Sequence, residues 1–404
     1  MSAPTVRIGD VSTQIRGVTY GKGDAVSNSS PGYLPILRAG NIEEVGISFD
    51  DLVYVPAVKA AERQQIRRGD VLIAASSGSL SAVGKAAQAT ADFAGAFGAF
   101  CKVLRPCESV DARYFGHFFR TAPYRRHVAK VAAGANINNL RNEHLDDLTL
   151  RLPSLTEQKR IATVLDQVDN LRAKRREAIV LLDDLAQSIF LGMFGEFPKS
   201  ARLADFSQVQ GGLQLSGARK TKPHEVPYLR VANVYRGRLR LDEVKTLKAT
   251  PQEIERTRLV KGDLLVVEGH GNANEIGRTA LWDGSIEVCT HQNHLIRIRV
   301  DRQYLIPEYV EMYLNSAVGR RHLLSSANTT SGLNTISTGA VKENPIAVPD
   351  MGRQQGFLNR LNHLREVKQR HLIHLAALDE LFTSLQHRAF SGTLWDHAAP
   401  GEAA

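Results

Sequence analysis

The chain has 404 residues, a length that suits two or three domains rather than one. Its 43% hydrophobic residues are enough to build sizeable cores, which excludes global disorder. The formal net charge of +9 favours an acidic partner, and nucleic acid is the commonest such partner because Lys and Arg neutralise phosphates and release counterions.

The cysteines and the hydropathy pattern bear on the compartment. Three cysteines, Cys101, Cys107 and Cys289, are too few to form a disulfide framework, which is typical of a reducing environment. No apolar stretch approaches the roughly 18 residues of a membrane span, and the first residues lack a signal-peptide pattern. We therefore expect a soluble, cytoplasmic protein.

The sequence contains an internal repeat, because blocks of its first half recur in the same order in its second half. Residues 35–38 (PILR) return as 227–230 (PYLR), and 68–72 (RGDVL) return as 261–265 (KGDLL). Chance can supply one such match but not an ordered series, so the chain is a tandem duplication.

Each copy divides into a strand-rich globule and a long helix. The globules take residues 1–150 and 198–348, the helices take 151–197 and 349–396, and a tail follows at 397–404. The predicted fold class is α+β: two tandem strand-rich globules separated by two long helices, which pair as an antiparallel coiled coil with internal pseudo-two-fold symmetry.

Several elements of the globules are predicted from local patterns, in chain order. The apolar runs 71–74 and 264–267 each follow a Gly-Asp turn and indicate buried strands. Residues 114–118 and 309–314 indicate short helices. The alternation over 294–300 predicts a half-buried strand.

The long helices carry apolar residues at three- and four-residue spacing, which favours a helix pair over two helices that each pack only on their own globule. The residues assigned to this pairing are Ile161, Val168, Leu171, Leu182, Leu185, Leu361, Leu364, Leu375, Leu378 and Phe382.

Polar loops at matching positions of the two copies are candidates for reading DNA bases, since paired donors and acceptors distinguish base edges in the major groove. The candidates are Ser76, Ser77, Ser79, Lys85, Asn136, Asn138 and Asn139 in the first copy, and His270, Asn272, Asn274, Arg278, Asn328, Thr329 and Asn334 in the second. The alternative is that these residues only form turns.

Basic residues and histidines supply further candidates. Arg38 and Arg230 occupy matched segments and suit either a phosphate contact or a structural ion pair. Two matched Arg-Arg-His runs, 125–127 and 320–322, either contact phosphates or form a solvated face. His291 either faces DNA from a strand or is buried with its polar atoms satisfied.

Zinc and nucleotide sites are not supported by the residues. Cys289, His291 and His294 are ligand types that zinc prefers, but no fourth ligand is apparent, so no metal site is predicted. The segment 269–271 (GHG) lacks the Lys-Ser/Thr of a phosphate loop.

Taken together, these signals resemble the specificity subunit of Type I restriction–modification systems. The resemblance lies in the Gly-Asp turn, the Gly-rich turn at Gly84-Lys85, the segment 291–294 (HQNH) and the helix start 156–161 (TEQKRI), and the duplicated layout extends it over nearly the whole chain. The second helix departs from the pattern, with Arg353-Gln354-Gln355 at its start.

This resemblance implies a role. Each globule is then a target-recognition domain for one half of a bipartite, asymmetric DNA site. The helices, with Glu157, Gln158 and Gln354 near their starts, form a spacer and a docking surface for two adenine-N6 methyltransferase subunits. The partner binds S-adenosylmethionine, a motor-nuclease subunit joins in restriction, and this chain holds no cofactor and no catalytic residue.

Two other classes of function remain open from the residues. An enzyme with its site between the globules would use Glu268, His270 and Cys289. A protein-binding scaffold would show no DNA sequence preference. The basic charge argues against the scaffold, and the absence of a complete catalytic set argues against the enzyme.

Overall fold

The computed structural model describes residues 3–43, 46–79, 82–134, 139–198, 201–330 and 333–396. The chain forms two compact units: unit 1 is Met1–Glu177 with Leu372–Ala404, and unit 2 is Ala178–His371. The long helices span Leu155–Phe194 and Met351–Ser391. Each unit therefore combines one globule with part of both long helices, whereas the sequence assigned one helix to each copy. Over the described ranges, no helix is long and apolar enough to cross a membrane.

Unit 1 is built around a four-stranded antiparallel sheet with the strand order Ser12–Arg16, Cys101–Pro106, Val71–Ala74, Ala86–Gln88. A three-stranded sheet has the order Val53–Pro56, Tyr33–Leu37, Ala96–Phe97, and Thr5–Arg7 pairs with Thr149–Arg151. The globule's α-helices are Ile8–Val11, Ala112–Phe118, Ala122–Gly134 and Glu143–Asp146, and its 3-10 helices are Lys22–Asp24, Ala39–Asn41, Ala57–Lys59 and Glu62–Gln64.

Unit 2 repeats this strand order. Its four-stranded sheet runs Ser207–Gly211, Leu295–Val300, Leu264–Val267, Thr279–Leu281, and its main three-stranded sheet runs Lys245–Ala249, His224–Leu229, Thr290–His291. Smaller sheets join Gly269–His270, Leu333–Thr335 and Asn328–Thr330, then Val234–Tyr235 with Arg238–Leu239, and Ala201–Arg202 with Pro345–Ile346. The α-helices are Pro251–Thr257, Pro307–Asn315, Ala317–Ser325 and Thr338–Lys342, and the 3-10 helices are Leu203–Phe206, Gly217–Thr221, Val231–Asn233 and Ala273–Glu275.

The predicted buried strands Val71–Ala74 and Leu264–Val267 are confirmed, and every residue in them is buried. Alternate side chains of each strand enter two different core clusters, so both faces of the sheet are covered. A strand covered on both faces has a continuous apolar run, which is the pattern that the sequence showed. The predicted short helices are also confirmed, as Ala112–Phe118 and Pro307–Asn315.

The strand predicted over 294–300 is present as Leu295–Val300, but the prediction that it is half-buried is wrong, because it is covered on both faces. Arg297 is 3% exposed. Its guanidinium donates to the carbonyls of Arg256 (3.2 Å) and Arg258 (2.9 Å) and to the Gln210 side chain (3.0 Å). Arg297 therefore occupies a buried hydrogen-bonding position rather than a solvated face, whereas Arg299 is partly exposed.

The repeated Gly-Asp block has a structural role in each unit. Gly69 and Gly262 adopt φ of 93° and 94°, a left-handed conformation that favours glycine. The following aspartates accept from backbone N–H groups of their own turns and pair with an arginine of the neighbouring strand: Asp70 with Arg105 (2.8 and 2.7 Å), and Asp263 with Arg299 (2.7 and 2.8 Å).

The long helices run in opposite directions where they meet in each unit. In unit 1, Arg172 Nε lies 2.5 Å from an Asp379 carboxylate oxygen, and the Arg160 guanidinium lies 4.4 Å from the Trp395 ring centroid. Phe382 of the second helix is buried in the core of the first globule, so that helix does not pack only on its own copy. In unit 2, Lys368 Nζ lies 2.5 Å from an Asp183 carboxylate oxygen.

The two ion pairs, which the repeat aligns with each other, are expected to differ in strength. The Arg172 side chain is 10% exposed and also bonds Asp169, whereas Lys368 and Asp183 are 33% and 60% exposed. Double-mutant cycles with alanine, read by urea unfolding, should give a coupling of about 1–2 kcal/mol for Arg172–Asp379 and below about 0.5 kcal/mol for Lys368–Asp183. Equal couplings would contradict this account.

Glu311 is expected to make the stability of unit 2 depend on pH. It is 5% exposed, accepts from Leu281 N (2.9 Å) and lies 3.4 Å from Arg365. Burial raises the pKa of this carboxyl from 4.5 to about 7, with the Arg365 charge opposing and Glu308 adding to the rise. The folded state therefore binds the proton more tightly than the unfolded state, so this contribution is complete below pH 4.5 and is lost as the pH rises through about 7.

Glu311→Gln should flatten this part of the pH dependence, because the amide keeps an acceptor for Leu281 N but does not titrate. Urea unfolding of both forms from about pH 4 to about pH 8 measures the difference. Glu366→Gln, on the exposed surface of the second long helix, is the control. An unchanged slope in Glu311→Gln would show that this carboxyl does not titrate there.

Candidate nucleic-acid interface

In the first copy, the structure brings the serine loop and the asparagine segment together. The loop follows the buried strand Val71–Ala74, and Ser76 forms an isolated antiparallel bridge with Asn139. Both predicted clusters of this copy therefore meet at one place, which we call the first junction (Ser76 with Asn139). Asn136 and Asn138 lie outside the described residues.

The rest of the serine loop is accessible. Ser79 N donates to Ser77 Oγ (3.2 Å), so Ser77 forms a turn, as the structural alternative predicted. Ser79 and Lys85 are exposed, and Ser76 and Ser77 are partly exposed. Both interpretations of this loop thus apply: its residues shape a turn and remain open to a ligand.

In the second copy, the same two segments meet as paired strands. His270 lies opposite Asn334 in Gly269–His270 and Leu333–Thr335, and Asn334 lies opposite Thr329 in Asn328–Thr330. Asn334 Nδ2 donates to the Gly271 carbonyl (3.3 Å), and Asn328 is exposed. We call this the second junction (His270 with Asn334).

The loop beyond His270 is held by its own side chains. His270 Nδ1 accepts from Asn272 N (3.0 Å), and Asn272 Oδ1 accepts from Asn274 N (2.9 Å). Asn272 and Asn274 are exposed. The Asn272 side chain and the backbone of this loop are therefore held by short-range bonds, and both asparagines still reach solvent, which is the arrangement that base reading needs.

Arg278 requires a correction, because it is 6% exposed. Its guanidinium pairs with Glu275 (2.7 Å) and donates to the Val231 carbonyl (2.9 Å). Its two terminal nitrogens are engaged within the globule, so it supports the loop rather than facing a base edge. A Gly-Arg pair in a turn gave no sign of this burial.

His291 also requires a correction, because it is fully buried. Its Nδ1 lies 3.2 Å from the Thr257 carbonyl. Burial, helped by the Arg297 charge, lowers the pKa of the imidazole to about 4, so it is neutral at physiological pH. The residue is buried, as the alternative predicted, but its polar atoms are not all satisfied, because Nε2 has no hydrogen-bond partner among the described residues. The ring does not reach a base.

Arg38 and Arg230 both form ion pairs, with Asp51 (2.9 Å) and Glu243 (2.9 Å). Their backbone N–H groups donate to Asn41 and Asn233, which are buried. The structural interpretation of these arginines is therefore the one that the contacts support. The matched asparagines, which the sequence showed only as a recurring block, close the turn after each arginine.

Sequence reasoning found only part of a basic cluster beside the second junction, because it named Arg278 and Arg320 but not the arginines of the segment 235–240. Arg236 and Arg320 both donate to the Asn274 carbonyl (3.1 and 2.5 Å). Three arginine guanidiniums, those of Arg238, Arg240 and Arg278, lie 5.1–5.4 Å from the Tyr235 ring centroid. The run 235–240 (YRGRLR) is the sequence signal for this cluster, and it matches no recognised motif.

The residues of the enzyme alternative do not form a reactive set. Burial raises the pKa of the Cys289 thiol to about 12, so it stays protonated. Glu268 pairs with His294 (3.4 Å), and His270 accepts from its own loop. In the part of the chain that the structure describes, no group of three or more His, Cys, Asp or Glu side chains is placed to hold a metal ion.

Comparison with known proteins decides the family. A family model described as the Type I restriction modification DNA specificity domain matches residues 4–180. The specificity subunit of the Type I restriction enzyme EcoKI from Escherichia coli (strain K12) is 32% identical over 419 residues, which cover 96% of this chain and 88% of the relative. This chain belongs to the Type I specificity-subunit family. The StySPI specificity subunit from Salmonella potsdam is 30% identical over 96% of this chain and 89% of that relative.

The fold of this specificity subunit also has a solved counterpart. A chain from the structure that describes complex assembly and conformational transition of the type I R-M system covers 97% of this chain, with 98% of its own length covered. The two share a TM-score of 0.57 at 16% sequence identity, so this likeness concerns the fold alone.

The helix residues of the specificity subunit divide by burial. Ile161, Val168, Leu361 and Phe382 are buried, Leu182, Leu364, Leu375 and Leu378 are partly buried, and Leu171 and Leu185 are 48% and 46% exposed. Glu157 is partly buried, 3.7 Å from Arg151. The spacing pattern thus mixed residues that pack inside a unit with residues that face outward.

Gln158 and Gln354 are 1% and 0% exposed, so neither offers its side chain to a partner. Gln158 accepts from Asp111 N (2.8 Å) and donates to Pro153 O (2.9 Å). Gln354 accepts from Ile306 N (2.8 Å) and donates to Tyr304 O and Pro349 O (both 2.8 Å). Each glutamine joins the start of a long helix to its globule.

Exposed apolar residues recur along both long helices. Beyond Leu171 and Leu185, they include Val180, Leu181, Leu191, Leu372, Ile373 and Leu381, each 41–58% exposed. An apolar surface of this kind is typical of a site that binds another protein. The sequence pattern did not separate these residues from those of the helix pairing.

Proposed function

We propose that this chain reads the two halves of a bipartite, asymmetric DNA site, one half with each globule. The observation that carries the proposal is that both copies form the same junction between a post-strand loop and an asparagine-bearing segment, with different side chains in each. The same backbone pairing with different side chains in each copy suits two half-sites of different sequence. The exposed candidates for base reading are Ser79, Lys85, Asn139, Asn272, Asn274 and Asn328.

Charge supports the contact with the DNA backbone. The chain has a net charge of +9. Arg236 and Arg320 bond the loop of the second junction at the Asn274 carbonyl, and Arg238 and Arg240 lie over the ring of Tyr235, next to Arg236 in the chain. Arginines that contact phosphates fix the register of a protein on the duplex without reading its sequence. We assign this cluster to the phosphates next to the second half-site.

The long helices serve as a spacer and as the docking surface for two adenine-N6 methyltransferase subunits, with a motor-nuclease subunit joining in restriction. Their exposed apolar residues support this assignment. Catalysis then resides in the partner subunits, which bind S-adenosylmethionine, and this chain contributes no catalytic residue.

The test is to express the chain with its neighbouring methyltransferase in a host that lacks N6-methyladenine, and to map that base by sequencing. The proposal expects methylation at one bipartite motif with a fixed spacer, lost when this chain is omitted. Methylation that is unchanged without the chain would refute the reading role. It would leave the protein-binding scaffold as the better account.

A further inference from the structure

A tight turn places Phe100 directly beside the first junction. Cys101 N donates to Gly98 O (2.8 Å), which closes the turn. The Phe100 carbonyl accepts from two successive N–H groups of the serine loop, those of Ala75 (2.8 Å) and Ser76 (3.0 Å). The backbone of Phe100 is therefore fixed to the loop that bridges Asn139.

The Phe100 ring is 71% exposed, more than any other aromatic side chain in the described parts of the chain. A single exposed apolar residue needs no explanation by itself. The position of Phe100 does need an explanation, because two hydrogen bonds hold its backbone against the serine loop. The ring is therefore presented at the surface of the first junction.

The second copy repeats these backbone hydrogen bonds around a different side chain, that of His294. Leu295 N donates to Gln292 O (2.9 Å), and Glu268 N donates to His294 O (3.0 Å), as Ala75 N does to Phe100 O. His294 thus holds the position of Phe100. It is 44% exposed and lies 3.4 Å from the Glu268 carboxylate.

The connection to the second polar segment is repeated too. Leu140 N donates to Ala75 O (2.7 Å) in the first copy, and Ile336 N donates to Glu268 O (2.8 Å) in the second. Position 100 and position 294 therefore stand in the same relation to both segments of their junctions. One globule presents an apolar ring there, and the other presents a hydrogen-bonding pair.

We propose that Phe100 is a specificity-determining residue that contacts a thymine methyl group in the first half-site. The thymine methyl is the apolar group that base edges expose in the major groove, and apolar side chains recognise it by contact. His294, with Glu268, reads a polar base edge at the matching place in the second half-site. This inference rests on the proposed DNA-reading function. It specifies which kind of chemical group on a base is contacted from one position of each junction.

The experiment uses the assembly of this chain with its methyltransferase and synthetic duplexes that carry the mapped motif. Each thymidine of the first half-site is replaced in turn by deoxyuridine, which lacks only the methyl group. At one position the replacement should weaken binding to the unaltered assembly by about tenfold. Phe100→Ala should weaken binding to the thymidine duplex by a similar factor and should be insensitive to that replacement.

Two further variants separate contact from folding. Phe100→Leu keeps an apolar side chain and should retain part of the sensitivity to deoxyuridine. Val58→Ala, at a 94% exposed apolar position of the same globule, should behave like the unaltered chain. His294→Ala should change recognition of the second half-site only.

The inference is overturned if Phe100→Ala binds as well as the unaltered chain, or if it binds more weakly but keeps the full response to deoxyuridine. An unaltered assembly with no preference for any bipartite motif would instead overturn the proposed function, and this inference with it.

Discussion

Gln158→Leu should destabilise unit 1 by about 3 kcal/mol, because the change removes three hydrogen bonds made by a buried side chain. Gln158 Oε1 accepts from Asp111 N (2.8 Å), and its Nε2 donates to the carbonyls of Pro153 (2.9 Å) and Ser109 (3.4 Å). Leucine fills a similar volume but leaves these backbone groups without their side-chain partner, and the Pro153 carbonyl among them is buried. Urea unfolding of the purified chain measures the loss.

The matched control is Gln167→Leu, an exposed position on the same helix, which should change stability by less than about 0.5 kcal/mol. Gln158→Glu keeps the acceptor and loses both donated bonds, so it should fall clearly below the unaltered chain. Equal stability of Gln158→Leu and Gln167→Leu would contradict the role assigned to this residue.

Phe357→Ala should destabilise unit 2 by about 3–5 kcal/mol, because it opens a cavity in an aromatic cluster. Phe357 is 1% exposed, and its ring centroid lies 5.5 Å from that of Phe190 and 5.7 Å from that of Phe194. Tyr309 of the globule packs against both of those rings, with centroids 5.7 and 4.9 Å away. This cluster therefore joins both long helices to the globule of unit 2.

The control for this cavity is Leu191→Ala, one residue beyond Phe190 on the same helix and 44% exposed. It should leave the unfolding midpoint of the purified chain nearly unchanged. It should also weaken assembly with the methyltransferase if the exposed apolar surface is the docking site. A small effect of Phe357→Ala on unfolding would mean that the cluster does not hold unit 2 together.

Local patterns predicted the local structure of this chain well. The apolar run Val71–Ala74 became a strand covered on both faces, and the Gly-Asp block became a turn at positive φ. Each depends on residues next to one another in sequence, so the pattern contains the information. The pairing of Asp70 with Arg105 depends on a strand that returns later in the chain, and no local pattern reports that contact.

The candidate interface was predicted at the level of segments rather than side chains. The repeat correctly placed matching polar segments in both copies, and they meet at Ser76 with Asn139 and at His270 with Asn334. The candidates that were predicted wrongly are those that the fold buries. Arg278 and His291 have the composition of DNA-contacting residues, but their neighbours across the fold cover them.

The partner surface shows the same limit. Three- and four-residue spacing marks apolar residues that share a helix face, but not the neighbour that covers that face. Gln158 was read as a docking residue because it lies in the helix start that the resemblance emphasised. Its burial against Asp111 and Pro153 comes from the globule that precedes the helix.

The most direct test of the central claim, one half-site for each globule, is an exchange of residues 198–348 for the matching segment of a relative with a different known motif. N6-methyladenine is then mapped in a host that expresses the exchanged chain with its methyltransferase. The account predicts that one half of the motif changes to that of the relative, while the other half and the spacer length stay the same. A motif that changes in both halves, or in neither, would contradict the claim.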